Sequence, residues 1–382
     1  MDQSLTARVC RAGVRGARHL TVVGLAVVAI LTCGIGAAEE RAPTAKKLIY
    51  YGWGNPETQY VREHWRDMEQ MPLDGTGIIV AVDRQAWQQG KRDTGNQLGW
   101  HMMGKRAFQV EEFHDAIADL QAAKWQTMTD NFVPIVLSGQ QSAAGLHWFD
   151  DQRWRTIANN FAVLAHIAAE GHLKGLILDP EHYNYDLFSY AQQRQQADKS
   201  FEAYTQMARQ RGREVMTAVA AVLPEAVLLS LYGHSQPLPY LRDGKTLPDV
   251  AYSLLPAFYD GLLEAMPAST QLIDGYEFAY GYKERRQFLQ GYQRIHQEAL
   301  KFSAVPERYK AHVKAGFGLW LDNSKNPKYF TPEEFQRAVH TALEVSDGYV
   351  WIYSHGPRFF PPSGIEAAYL KAMAAARREV KR

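Results

Sequence analysis

The chain has 382 residues, which is long enough for one large α/β barrel or for two ordinary domains. Its 46% hydrophobic and 22% charged residues are typical of a globular protein and exclude a disordered or fibrous chain. The formal net charge of +1 argues against nucleic acid as the main partner, because there is no basic surplus to neutralise phosphates.

The first 38 residues have the layout of a secretory signal peptide. Four arginines precede the apolar stretch LTVVGLAVVAILTCGIGAA (20–38), and Gly36 and Ala38 supply small residues at the −3 and −1 positions of a cleavage site. We therefore expect a periplasmic or secreted protein with no stable membrane insertion after cleavage. The alternative is an uncleaved anchor, although the apolar run is short for a span of ~20 residues.

Both cysteines, Cys10 and Cys33, lie within this leader. The remaining chain, 39–382, therefore has no thiol, which excludes thiol catalysis, cysteine–zinc sites and disulfide bonds for the mature protein. We expect neither a metal nor another cofactor.

Strand-like and helix-like patterns alternate throughout 39–382. Helical spacing of apolar residues fills the intervals between strands, and Thr331–Glu334 and Ser363–Glu366 have the pattern of capping boxes. Eight strands alternating with helices predict a single (β/α)₈ barrel, also called a TIM barrel. A doubly wound open sheet is the alternative, but no GxGxxG follows the first strand. The predicted strands lie near 47–53, 76–82, 131–137, 175–180, 226–232, 271–278, 313–321 and 348–354.

The fourth predicted strand ends in an unusual polar stretch, GLILDPEHYNY (175–185). Alternate residues of a strand share one face, so Asp179 and Glu181 lie in line with Ile177 and face the barrel interior if Leu176 and Leu178 face the helices. Both carboxylates would then lie at the carboxyl-terminal mouth, where barrel enzymes have their active sites. The long loops after the second strand, 83–106, and after the fourth would shape that mouth.

The same alternation, with the large aliphatic residues placed outward, assigns further side chains to the mouth. On the fifth strand it directs Val227, Leu229 and Leu231 toward the helices and Ser230 inward. Glu277, in line with Ile273 and Gly275, completes an inward set with Asp179 and Glu181. The other predicted inward or mouth residues are Trp53, Asp83, Tyr183, Tyr232, His234, Trp320, Asp322, Trp351, Tyr353 and His355.

Acidic and aromatic side chains together are typical of carbohydrate sites, because sugar rings stack on indoles and phenols and their hydroxyls bond carboxylates. Cleavage of a glycosidic bond needs a proton donor and a second group that attacks or activates water. We expect Glu181 to be the general acid and Asp179 to orient the substrate or tune Glu181. Glu277 is the first candidate for nucleophile or base and Asp322 the second. The expected sugar-binding residues are Trp53, Asp83, Tyr183, Tyr232, His234, Trp320, Trp351, Tyr353 and His355.

Two other functions stay open at this point. One is a polysaccharide lyase or a metal-assisted hydrolase that uses His182, His234 or His355, although no HxH or HExxH spacing is present. The other is a carbohydrate-binding barrel without catalytic activity. Asp322 could cap a loop, and Trp351 could belong to the barrel core.

The stretch GLILDPE resembles the Gly-x-x-x-Asp-x-Glu motif that ends the fourth barrel strand of chitinase-like glycoside hydrolases. That resemblance implies that Glu181 donates the proton and that Asp179 orients an acetamido group of the substrate. Ile177 stands where that family has a further Asp, which argues against acetamido-assisted catalysis. Over nearly the whole of 39–382, the chain is also similar to secreted bacterial barrel proteins assigned to the glycoside hydrolases. The stretches that carry this similarity are 50–78, 176–183 and 349–360.

We predict that the leader is removed on export, because it combines an arginine-rich start, an apolar run and small residues before Glu39. N-terminal sequencing of the protein from its native host should find a chain that begins near residue 39. A membrane-held chain that still begins at Met1 would contradict this.

Overall fold

The computed structural model describes residues 46–139, 145–183, 185–193, 197–322 and 329–380. The predicted signal peptide, 1–38, lies outside the described residues. None of the helices in these ranges has both the length and the apolar composition that a bilayer crossing requires.

Two parallel sheets make up the centre of the fold. One has the order β2-β1-β9-β8 and the other the order β3-β4-β5-β6-β7. Their strands are Lys47–Tyr50 (β1), Gly75–Thr76 (β2), Phe132–Val136 (β3), Gly175–Asp179 (β4), Val227–Ser230 (β5), Gln271–Asp274 (β6), Val313–Ala315 (β7), Phe317–Trp320 (β8) and Tyr349–Tyr353 (β9).

The two sheets join into one closed barrel. A parallel bridge between Gly77 and Phe132 connects β2 to β3. Strands β7 and β8 are separated by Gly316 alone and act as one strand, which pairs with β6 at its start and with β9 at its end. In the described part of the chain, eight parallel strand positions thus form a complete ring. The prediction of a (β/α)₈ barrel is confirmed.

Helices lie between successive strands and cover the outside of the barrel. They are Thr58–Met68 (α1), Arg84–Gln88 (α2), His114–Ala122 (α3), Asp151–Glu170 (α4), Phe201–Ala220 (α5), Leu255–Ala265 (α6), Arg285–Gln293 (α7), Pro306–His312 (α8), Pro332–Val345 (α9) and Ala367–Val380 (α10). The capping box of Thr331 and Glu334 begins α9 as predicted. The box predicted at Ser363 is wrong, because that residue pairs in a short hairpin and α10 begins at Ala367.

The alternation of faces holds on β4 and β9 but is wrong on β5. There Ser230 bonds the hydroxyl of Tyr259 on α6, and Leu228 packs beside Phe258 on the helix side. Leu231 instead lines the barrel mouth. The prediction placed large aliphatic residues outward, but such residues also fill the interior of a barrel. Size alone therefore cannot tell the two faces of a barrel strand apart.

Trp351 is fully buried in the barrel interior and is a core residue. Its Nε1 donates to the Gly275 carbonyl at 2.8 Å, and its ring lies against Gly318, where an added Cβ would come within 2.6 Å of the indole. Trp351 is absent from the cavity lining described below, so its prediction as a sugar-binding residue is corrected. An inward position on a barrel strand can be filled by a large side chain that packs the interior, and Trp351 does this.

We predict that Trp351→Ala lowers the free energy of unfolding by about 3–5 kcal/mol, because it leaves a cavity in the barrel interior. The matched control is Trp53→Ala, since Trp53 is 46% exposed and should change stability by only about 0.5 kcal/mol. Urea unfolding of the two variants and the wild type measures this. Equal losses in the two variants would contradict the placement of Trp351.

Candidate active site

A cavity of about 200 Å³ lies at the carboxyl ends of the barrel strands. The chain following β1 contributes Tyr51, Trp53 and Asn55, and the long loop after the second strand contributes Gln97 and Trp100. Glu181 and Tyr183 come from the loop after β4. The remaining lining residues are Gly52, Ile79, Val80, Gly99, Pro134, Val136, Asp179, Leu231, Glu277, Tyr280, Trp320 and Tyr353.

Asp179 is the last residue of β4 and is 1% exposed. Its Oδ1 accepts the backbone N–H of Glu181 at 3.0 Å, which forms the tight turn that an aspartate makes with the residue two positions later. Its Oδ2 accepts the hydroxyls of Tyr51 and Tyr183, each at 3.0 Å. Asp179 therefore directs the chain at Glu181 and is itself held from both sides.

The Tyr183 hydroxyl lies within hydrogen-bonding distance of both Asp179 and Glu181. A phenol carries one proton and can donate it to only one of these carboxylates at a time. Both contacts are satisfied when one of the two carboxyl groups carries a proton and donates it to the phenol oxygen. The geometry thus fits a cluster of carboxyls that shares protons.

Glu277 enters the cavity through a bulge after β6. The backbone N–H of Gly275 bonds Ser230 O, and a regular parallel ladder would next bond Glu277 to Tyr232 O. The N–H of Glu277 bonds Leu231 O instead, at 3.1 Å, so Tyr276 is an extra residue. Tyr276 has a φ of 41°, a left-handed conformation that costs a non-glycine residue about 1–2 kcal/mol. Such bulges re-aim side chains next to active sites.

The three carboxyls interact with one another in a cavity that screens charge poorly. Burial first, and then the charge of Glu181, raise the pKa of Asp179 to about 7. Burial, followed by the charges of Glu181 and Asp179, raises the pKa of Glu277 well above its usual value. Among the described residues, Glu277 Oε2 is buried without a hydrogen-bond partner, and the lining includes no Lys, Arg or His. The cluster therefore keeps protons at neutral pH.

Two groups of aromatic side chains line the same cavity. In the first, Trp53 stacks on Trp100 with centroids 6.3 Å apart, and Trp100 contacts Tyr183 at 5.0 Å. In the second, Tyr280 contacts Trp320 at 5.4 Å and Tyr353 at 5.7 Å. Flat apolar surfaces beside hydrogen-bonding carboxyls can bind a sugar ring through its C–H face and its hydroxyls. The site thus combines proton-carrying groups with surfaces suited to sugars.

Of the predicted site residues, seven line this cavity: Trp53, Asp179, Glu181, Tyr183, Glu277, Trp320 and Tyr353. Asp322 does not, because its carboxylate accepts the backbone N–H groups of His355 and Gly356 at 2.8 and 2.9 Å. Asp83 caps α2 by accepting the N–H of Ala86. Both predictions are corrected by the same physical cause: a short acid after a strand satisfies backbone donors, of the following helix for Asp83 and of the loop after β9 for Asp322.

The predictions for Tyr232 and His234 are wrong because the inward and outward faces of β5 are opposite to those predicted. His234 is buried against Asp260 of α6 at 3.0 Å, on the helix side of the barrel. Tyr232 bonds the hydroxyl of Tyr252 at 2.9 Å and is absent from the lining. His355 lies beside the Tyr353 hydroxyl, with its ring outside the lining.

The three histidines considered for a metal site each contact a different partner. His182 stacks on Tyr252 with centroids 3.9 Å apart, whereas His234 bonds Asp260 and His355 contacts Tyr353. Across the described ranges, no three His, Cys, Asp or Glu side chains form a group that could hold a metal ion.

Sequence reasoning missed five polar or aromatic lining residues: Tyr51, Asn55, Gln97, Trp100 and Tyr280. Tyr51 could have been found, because it lies two residues before Trp53 on the same strand face. Trp100 belongs to the long loop expected to shape the mouth. Tyr280 follows a short helical turn after the bulge, and no periodic signal indicates it.

No family model matches the sequence, and no curated protein matches it. Among solved structures, a GH18 chitinase from Pseudoalteromonas aurantia is 13% identical, with 86% of this chain and 99% of that chain covered and a TM-score of 0.44. A GH5-4 broad-specificity endoglucanase from Bacteroides salanitronis is 10% identical, with 86% and 87% covered and a TM-score of 0.42. The 3-keto-D-glucoside 4-epimerase YcjR from E. coli is 11% identical, with 86% and 98% covered and a TM-score of 0.41. At these values the fold assignment rests on the strand pairing itself.

The raised pKa of Asp179 predicts that folding stability falls as pH rises. A carboxyl whose pKa is higher in the folded state binds more protons there, so the stability that Asp179 contributes is fully present below about pH 4 and is lost by about pH 7. Asp179→Asn removes this titration and should reduce the loss between pH 5 and pH 8 by on the order of 1–3 kcal/mol. Urea unfolding at both pH values measures it, and an unchanged difference would contradict the burial of a charged Asp179.

Proposed function

We propose that the protein is a glycoside hydrolase that cleaves a polysaccharide or oligosaccharide in the cavity at the barrel mouth. One observation carries the proposal: Asp179, Glu181 and Glu277 share a cavity with two groups of aromatic side chains. Acid-catalysed glycoside cleavage needs a protonated and an ionised carboxyl side by side, flanked by surfaces that bind sugar rings.

The contacts support a division of roles that differs from the sequence expectation. Glu181 is half-buried and accepts the Tyr183 hydroxyl, and its charge, second to burial, raises the pKa of both Asp179 and Glu277. Glu277 accepts a bond from Tyr280, but its Oε2 has no partner among the described residues, and burial together with its acidic neighbours outweighs that bond and favours the protonated form. We therefore assign the general acid to Glu277 and the nucleophile or base to Glu181. Asp179 holds Glu181 in place through the Glu181 backbone and shares the Tyr183 proton.

The charge of the lining also bears on the rival functions. A lyase must neutralise the carboxylate of a uronic acid while it removes the neighbouring proton, which calls for a cation near the substrate. The described lining has three acids and no basic side chain. These charges favour neutral or basic sugars. We further propose that the enzyme works outside the cytoplasm after removal of residues 1–38, where such polymers are met.

We predict that Glu181→Gln and Glu277→Gln each lower the rate of glycan cleavage by about 10²–10⁴-fold, because glutamine keeps the shape of glutamate but cannot exchange a proton. Glu69→Gln is the matched control, since Glu69 bonds backbone groups at 126–128, next to the start of β3. Reducing ends released from a panel of bacterial and plant polysaccharides measure the rate. Residual activity above about a tenth in either site variant would contradict its role. Glycan binding without turnover in the wild type would indicate a binding barrel.

The assignment of the acid has its own test. A dinitrophenyl group leaves without protonation, so Glu277→Gln should still release it from an aryl glycoside of a sugar that the wild type accepts. Glu181→Gln should not, because the attacking group is lost. Release by Glu181→Gln and not by Glu277→Gln would reverse the two roles.

We expect the first product to retain the anomeric configuration. Glu181 and Glu277 line one cavity of only about 200 Å³, which favours a short separation, and retaining enzymes have carboxyls only about 5–5.5 Å apart. Proton NMR of the first-formed anomer decides this, and an inverted product would indicate a water molecule between the two groups.

A further inference from the structure

Asp274 lies outside the cavity, yet its contacts converge on the bulge that delivers Glu277. It is the last residue of β6 and is 1% exposed. In register with Ser230, it faces the helix side of the barrel, toward Tyr259 and Tyr309. It cannot touch a substrate in the cavity. Any role in the reaction must act through the backbone.

The Asp274 carboxylate accepts from two neighbouring segments. Its Oδ1 accepts the backbone N–H of Tyr276 at 3.2 Å, and its Oδ2 accepts the hydroxyl of Ser235 at 2.7 Å and the Ser235 N–H at 3.4 Å. The Gly233 N–H also donates to it. A Cβ at Gly233 would lie 2.8 Å from Oδ2, so this close approach requires glycine. The carboxylate thus ties the loop after β5 to the bulge after β6.

The bulge needs such a tie because its conformation is unfavourable by itself. Tyr276 is left-handed without being glycine, and such residues persist only where the surroundings over-determine them. Gly275 is fixed by Ser230 O and by the Trp351 indole, and Glu277 is fixed by Leu231 O. The N–H of Tyr276 itself donates to the Asp274 carboxylate. Without that bond, the chain could relax toward the regular ladder, in which Glu277 pairs with Tyr232 O and lies about one residue, roughly 3.3 Å, further along the strand.

We propose that Asp274 is a positioning residue that holds the Tyr276 bulge and thereby keeps Glu277 in the cavity with Asp179 and Glu181. The inference rests on the proposed function only where it concerns turnover. Its structural part concerns the environment of Glu277, whose charge interacts with Asp179, Glu181, Tyr232, Tyr240 and Tyr280. Losing the bulge would move Glu277 away from these groups.

The test is a direct titration of the Glu277 carboxyl by ¹³C NMR in protein labelled at the glutamate side-chain carboxyl carbons. Glu277→Gln identifies its signal. In the wild type, Glu277 should titrate above the usual value of about 4.3. In Asp274→Asn, which keeps the volume but replaces one acceptor oxygen with a donor, the midpoint should fall by about one pH unit or more toward that value. A folded Asp274→Asn with an unchanged Glu277 midpoint would overturn the inference.

Asp74→Asn is the matched control, because Asp74 is also buried and also accepts a backbone N–H, that of Leu48, but lies before β2, at the amino ends of the strands. It should lower the melting temperature without moving the Glu277 midpoint. If Asp274→Asn does not fold, Ser235→Ala removes one bond to Oδ2 and should shift the midpoint in the same direction by less. An unmoved midpoint in Ser235→Ala would then overturn the inference.

Measurements of turnover distinguish a failure of this inference from a failure of the proposed function. With a glycan that the wild type cleaves, Asp274→Asn should lower kcat more than it raises KM and move the alkaline limb of the kcat/KM profile to lower pH. A lower melting temperature with an unchanged profile would reduce Asp274 to a purely structural residue. If the wild type cleaves no glycan of the panel, the proposed function fails while the NMR titration still decides the role of Asp274.

Discussion

The repulsion among the three carboxyls of the cavity is the constraint on which the rest of the site depends. Asp179, Glu181 and Glu277 lie together with no basic side chain in the described lining to offset them. In such surroundings, three negative charges cannot be held at once, so protons stay on the cluster. The phenols of Tyr51 and Tyr183 supply hydrogen bonds in place of positive charge. Hydrogen bonds of this kind leave the protons mobile, whereas an arginine would fix the carboxylates in their charged state.

The same aspartate turn occurs at the ends of two barrel strands. Strands β4 and β6 both end in an aspartate whose Oδ1 accepts the N–H two residues later, and a catalytic candidate follows each. On β4 the aspartate faces inward and belongs to the cavity. On β6 the aspartate faces the helices, and Glu277, which follows the bulge at Tyr276, lies in the cavity. The two strands reach the same cavity from opposite starting faces.

The barrel could be predicted from the sequence because eight strand patterns alternate with helices, and parallel pairing leaves few other arrangements. The acids of β4 could be predicted because that strand alternates without interruption up to its last residue. Glu277 was placed correctly although its strand does not alternate regularly to the end. The bulge after β6 depends on backbone hydrogen bonds, and the pattern of side chains in the sequence does not indicate it. Asp322 and Asp83 were misplaced because a capping acid and a catalytic acid look alike when each follows a strand.

The ring of Tyr276 links the mouth to the outer layer of the protein. It packs on Gly291 of α7, where an added Cβ would lie 2.9 Å away, and its hydroxyl accepts a bond from Arg294 in the helical turn that follows. The backbone of Tyr276 meanwhile sets the position of Glu277. A substitution at Gly291 or Arg294 would therefore shift the position of Glu277 through Tyr276. Neither residue would need to contact the substrate. In a lineage of such barrels, the working pH could drift through changes on an outer helix while every residue of the cavity stayed the same.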